Sequence, residues 1–160
     1  MLRKTLSLIA CVLYLGGCAF HQTPYVMHDE SLPVTNTAVF VSLDDRTAKI
    51  NDSRIQSVNN KETSCFKVGC PYWVRVQPGR HTFKVLYTSN HHWNLNQVGY
   101  THAHLFIEIQ NMKPRHVYVA RYREESNQVD FTVEDLGENP DFGITLGLDG
   151  ANKKRYPVKF

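Results

Sequence analysis

No stretch of this 160-residue chain stays apolar for the ~20 residues that a membrane-spanning helix requires. The longest run, residues 6–15, is about half that length and contains Ser7. No segment keeps a helical hydrophobic period for more than a turn or two, which argues against α and α/β folds. No long basic tract interleaves with aromatics, so nothing marks a nucleic-acid binder. Enzyme grammar is missing as well: there is no G-x-S-x-G elbow, no H-E-x-x-H, no glycine loop to cradle phosphate and no dinucleotide fingerprint. No catalytic residue can be nominated, and the chain reads as a non-enzyme. Cysteine is scarce, with only Cys11, Cys18, Cys65 and Cys70.

The residues leading to Cys18 form an address. Arg3 and Lys4 precede the apolar run and small residues follow it, as in a secretory signal peptide. A buried core helix would show an amphipathic period, and this run shows none. It ends Leu15-Gly16-Gly17-Cys18. That ending resembles the lipobox of bacterial lipoproteins: a branched apolar residue, two small residues, then cysteine. The resemblance implies that residues 1–17 are removed, that Cys18 carries a thioether-linked diacylglycerol, and that its new amine is acylated. More than one acyl chain anchors a protein stably where a single chain does not. Ala19 in place of aspartate implies, by the same resemblance, an outer-membrane lipid anchor facing the periplasm of a Gram-negative cell.

Of the 18 lysines and arginines, Arg3 and Lys4 leave with the signal, so 16 remain against 15 acidic residues. The mature chain is near neutral, and its length suits one domain. Residues 18–37 hold Pro24 and Pro33 and no period, and read as a tether behind the lipidated Cys18. Extended, its roughly 19 residues reach about 60 Å, less whatever Tyr25, Val26 and Met27 pack back on the domain. Cys65 and Cys70 remain, and in an oxidising compartment the expected state is a disulfide. A redox pair would usually read Cys-x-x-Cys, and a zinc site would need further ligands.

From Ala38 the period becomes two. Residues 38–43 are a strand candidate, and residues 47–50 and 54–58 flank Asn51-Asp52-Ser53, which has turn chemistry. Residues 72–77 set Tyr72, Val74 and Val76 against Arg75 and Gln77, and residues 80–88 set Phe83, Val85 and Tyr87 on one side. Pro78-Gly79 between them predicts a hairpin. Over residues 100–110, Ala103, Leu105, Ile107 and Ile109 oppose His102, His104, Glu108 and Gln110. Residues 116–123 and 128–135 predict a second hairpin. The expected fold is all-β, a single antiparallel β-sandwich of about seven to eight strands spanning residues 38–135. Residues 136–160 read as a tail, an added edge strand or a loosely packed end. The succession of "AKINDSRI", "VRVQPGRHTFKVLY", a long apolar strand and "RHVYVARY" resembles PEGA-type and related Ig-like modules. Val74, Pro78, Gly79, His81, Val85 and Tyr87 carry most of the likeness. Such modules are generally non-enzymatic, so the resemblance implies binding or scaffolding.

Eight histidines are many for this length. His91 and His92 lie with Trp93 in an expected loop, residues 89–99. His102 and His104, spaced i, i+2, share one strand face about 7 Å apart. If the loop folds back beside that strand, the four could hold zinc or copper, which imidazoles suit. The plainer alternative is a solvated polar face, since no carboxylate or thiolate completes a ligand set. No other cofactor is implied. Trp93, flanked by His91 and His92, is the candidate partner-binding set, an aromatic anchor of the kind that dominates interfaces, unless it plugs the core. Lys153, Lys154 and Arg155 either touch anionic lipid or form a solvated turn. The functional expectation is a lipid-anchored periplasmic accessory module that binds another envelope protein, with an immunity or inhibitor lipoprotein as a special case. The alternative is a metal-binding lipoprotein built on the four histidines.

Overall fold

The computed structural model describes residues 21–43, 51–65, 69–94, 97–125, 128–147 and 151–160, with backbone alone at residues 51, 91–94, 97 and 98. Among the described residues the strands are β1 (Tyr25–Val26), β2 (Ala38–Val41), β3 (Asn51–Val58), β4 (Lys61–Glu62), β5 (Trp73–Val76), β6 (Gly79–Asn94), β7 (Gln97–Met112), β8 (His116–Glu125), β9 (Gln128–Glu138), β10 (Gly143–Leu146) and β11 (Lys154–Pro157). The one helical element among them is a 3-10 turn, Val34–Asn36. None is a helix long and apolar enough to cross a membrane.

The all-β class therefore holds, but the layering differs from the single antiparallel sandwich expected. The described residues form three sheets: β1-β5-β2-β8-β9, β4-β3-β6-β7, and a β10-β11 ribbon. Two pairings, β1 with β5 and β2 with β8, are parallel. The five- and four-stranded sheets enclose the main core, where Phe40, Val74 and Tyr118 meet Phe83, Val85 and Ile107. The rings of Phe40 and Phe83 stack at 4.0 Å between centroids. A second core lies on the other face of the five-stranded sheet. There Val39, Val41, Trp73, Val117 and Val119 pack against Phe142 and Ile144 of the C-terminal ribbon. Within the expected tail, residues 136–138 complete β9, and the ribbon of β10 and β11 closes a layer over this second core rather than adding an edge strand to the sheet. Strands buried on both faces need continuous rather than alternating apolar residues, and "AVFV" and "WVRV", both buried throughout, supply them.

Three local expectations change for reasons of pairing. Pro78-Gly79 does not close a hairpin. Both edges of β5 are occupied, by β1 and β2, so the chain turns the corner at Gly79, whose φ is +120°, and continues as β6 in the other sheet. Asn51-Asp52-Ser53 is not a turn, because β6 is long enough to pair with it: Asn51 lies opposite Ser89 and Ser53 opposite Tyr87. The turn after β3 falls instead at Asn59 and Asn60, both left-handed, a conformation asparagine tolerates. Residues 47–50 lie outside the described residues. The tether is also shorter than read. From His21 onward the segment is held on the domain: the Trp73 indole donates to the His21 carbonyl at 3.0 Å, β1 pairs with β5, and the Met27 N–H donates to the Arg75 carbonyl. Cys65 and Cys70 form the expected disulfide, with Cα atoms 3.9 Å apart. Arg54 sits over the Tyr72 ring at 3.8 Å and donates to the Cys70 carbonyl, fixing the exit of that loop.

Arg75 breaks the apolar run of β5 and is buried with it. Its guanidinium donates to Thr37 Oγ1 at 2.8 Å and to the Lys159 carbonyl at 2.7 Å, and lies 5.2 Å from the centre of the Phe160 ring. Burial lowers its pKa from the ordinary arginine value, without discharging a group that titrates so high. The side chain joins the N-terminal segment, the central sheet and the C-terminal segment. Replacing Arg75 with alanine is expected to cost about 2–4 kcal/mol in urea unfolding, since two partners lose a charge-assisted bond. It should also open residues 158–160 to carboxypeptidase. An unchanged midpoint would show that the clamp holds nothing.

His81 is buried between strands and carries a defined tautomer. The Gln77 carbonyl can only accept, so Nε2–H donates to it at 2.7 Å. Asn59 Oδ1 takes the Thr82 N–H, which leaves the Asn59 amide to donate to His81 Nδ1 at 3.0 Å. Burial pushes the imidazole pKa down, and the Gln77 carbonyl opposes it only in part. The unfolded chain therefore takes up this proton first, near pH 6.5. The stabilisation is full above that pH and is lost as pH falls toward the depressed folded value. The unfolding temperature should drop between pH 7 and pH 5, and His81→Gln should flatten that slope. Identical slopes in the two proteins would remove His81 as the cause.

Candidate functional site

The edges of the two large sheets are not equally protected. Long, uncharged edge strands pair with other chains unless they are shortened, charged, bulged or covered. β1 and β4 are two residues each, and β4 is Lys61-Glu62. β9 carries Asp130, Glu134, Asp135 and Glu138, and its register shifts between His116 and Tyr118. Gly137, at φ +84°, donates its N–H to Asp135 Oδ1 at 2.9 Å inside that bulge. Burial works against ionising Asp135, but the Gly137 N–H and His116 outweigh it, so the carboxyl titrates below its usual range.

β7 has none of these devices along most of its length. It spans 16 residues and keeps regular register with β6 from Val98 to Ile109. It contains no proline, lysine or arginine, and its single carboxylate, Glu108, accepts from Arg80 at 2.7 Å. Among the described residues no strand lies on its other side. Its outward face holds Tyr100 and Phe106, exposed by 62% and 63%, with His102 and His104, also exposed, between them. The Tyr100 and His102 rings lie near parallel at 6.3 Å, and His102 Nδ1 is hydrogen-bonded to Thr88 Oγ1 at 3.2 Å. From Phe106 a groove of about 790 Å³ runs past Lys84 and Ser57 to Glu62 and Cys65.

The residues nominated from sequence fall unevenly on this surface. Residues 89–99 are not a loop. β6 runs on to Asn94 and β7 begins at Gln97, with His91 opposite Gly99 and His92 opposite Val98. The register shift between His92 and Asn94 leaves Trp93 as an extra residue on β6. The backbone positions of His91 and His92 lie three and four residues beyond Thr88, the partner of His102, or roughly 10 and 13 Å along the ribbon. The ribbon thus replaces the loop return that was to bring the four histidines together. The side chains of His91, His92 and Trp93 lie outside the described residues, as does Cys18. Among the described residues no group of three or more His, Cys, Asp or Glu is placed to hold a metal ion. Phe106 was missed in the sequence, although it is the one large apolar residue on the polar side of "HAHLFIEIQ". No known protein family, curated protein or solved structure matches the chain.

Replacing both His102 and His104 with alanine should change stability by less than about 0.5 kcal/mol, as at other exposed positions, measured by urea unfolding. A rise in unfolding temperature with zinc that this double variant abolishes would instead establish the histidines as a metal site.

Proposed function

We propose that the protein is a lipid-anchored module of the bacterial envelope that binds another envelope protein through the β7 edge and its outward face. The observation that carries this reading is the contrast among edges: three are short, charged or bulged, and along the longest no strand is paired among the described residues. A partner strand added there would gain backbone hydrogen bonds, with Tyr100 and Phe106 as side-chain anchors. The lipobox-like "LGGC" supports the anchor at Cys18. The two large sheets around one core support kinship with PEGA-type, Ig-like modules, here with a third layer added. An accessory subunit and an inhibitor of a periplasmic enzyme both use such a surface.

In cells, a photo-crosslinking residue at Tyr100 should capture one discrete partner, and the same residue at Asp130 on β9 should not. Phe106→Lys should lower capture roughly tenfold or more, as loss of an interface anchor does. Cys18→Ser should leave the chain without incorporated palmitate and outside the membrane fraction. Equal capture at Tyr100 and Asp130, or none from folded and lipidated protein, would defeat the β7 reading.

A further inference from the structure

The docking of the N-terminal segment places a second surface close to the expected lipid. His21 is fixed by the Trp73 indole, with its ring 4.8 Å from Tyr72 and Nε2 3.1 Å from Arg54. Cys18 precedes it by three residues, a reach of about 10 Å at full extension. Immediately after His21 the chain forms one wall of a groove of about 490 Å³. Pro24 and Val26 face Tyr156 and Pro157 across it, and Lys154 and Lys159 stand at its rim. Val26 is 48% exposed although it pairs in a sheet. Lys154 Nζ lies 5.4 Å from the centre of the Tyr156 ring, and both lysines are exposed. Arg155 is engaged by Asp141 at 2.8 Å, and Arg75 by Thr37 and Lys159. Among the described residues that line the groove none is acidic.

We infer that this groove faces the membrane and that Lys154 and Lys159 bind the phosphates of anionic lipid head groups in the leaflet that holds the Cys18 lipid. The inference rests on the proposed lipidation of Cys18. An apolar floor with a cationic rim matches the depth profile of a bilayer surface, where glycerol and first methylenes lie beneath charged phosphates. Each lysine brought to an anionic surface strengthens its apposition about fivefold, an attraction that fades over a Debye length. A 60 Å tether would leave that attraction unused, and a reach of about 10 Å does not. The geometry also turns β9, the opposite edge of the five-stranded sheet, outward. It lies four strand spacings from β1, or roughly 19 Å.

The test uses the full lipidated protein, with its disulfide intact, reconstituted in vesicles of zwitterionic lipid containing about one fifth phosphatidylglycerol. An environment-sensitive dye is attached at Thr23→Cys, in the groove wall, or at Asp130→Cys, and lipids with head-group nitroxides quench it. Quenching at position 23 should exceed that at position 130 at least threefold. Lys154→Gln or Lys159→Gln in the 23-labelled protein, or half-molar salt, should reduce the excess. Equal quenching at the two positions, with the acyl mass confirmed on the Cys18 peptide, overturns the apposition and leaves the lipoprotein reading standing. A Cys18 peptide without acyl mass overturns both. An excess that persists unchanged after Lys154→Gln and in salt overturns the head-group role of the lysines.

Discussion

The five-stranded sheet is covered on both faces, and the rest of the molecule is arranged to satisfy that condition. One face meets the four-stranded sheet through Phe40, Val74 and Tyr118, and the other meets the C-terminal ribbon through Val41, Trp73 and Val119. A central strand in this position can carry almost no polar side chain without a dedicated partner. Arg75 is the exception, and its partners, Thr37 and the Lys159 carbonyl, come from segments on either side of the sheet in sequence. Hydrophobic burial holds the layers together, and one hydrogen-bonded cation fixes how the two ends of the chain approach the middle.

The strands were legible in the sequence wherever one face only is buried. Alternation located Phe83, Val85 and Tyr87 on β6 and Leu105 and Ile107 on β7, all in the main core. Alternation misled where both faces are covered. Over residues 72–77 it set Arg75 on the face opposite Val74 and Val76 but gave no reason to expect that face, which also holds Trp73, to be buried. Turn chemistry is local, whereas pairing is decided by which edges remain open. Hence Pro78-Gly79 turns a corner between sheets, and Asn51-Asp52-Ser53 is drawn into β3 by the length of β6. The ribbon of β10 and β11 was illegible because its strands are short and acquire meaning only against Val39, Val41 and Val117.

The candidate surface was legible in part. His102 and His104 were placed correctly on the outward face of β7. Their juxtaposition with His91 and His92 depended on a loop that is a ribbon, and loop conformation is what a periodic pattern cannot specify. Phe106 was passed over as one more apolar residue in an apolar strand, although alternation alone sets it with His102 and His104, opposite Leu105 and Ile107. The bare edge itself is a property of sheet order, not of any local motif. It becomes visible once β7 is known to terminate its sheet while β9, at the corresponding end of the neighbouring sheet, carries four carboxylates.

The bond between Arg75 and Lys159 spans 84 residues, and β2 pairs with β8, whose strand begins only at His116. A chain that is synthesised from its N-terminus presents "AVFV" and "WVRV" long before the segments that cover them have emerged. The order in which the polypeptide appears is therefore opposed to the order in which its centre can be sealed. Such apolar, β-prone segments are the ones that aggregate when left waiting.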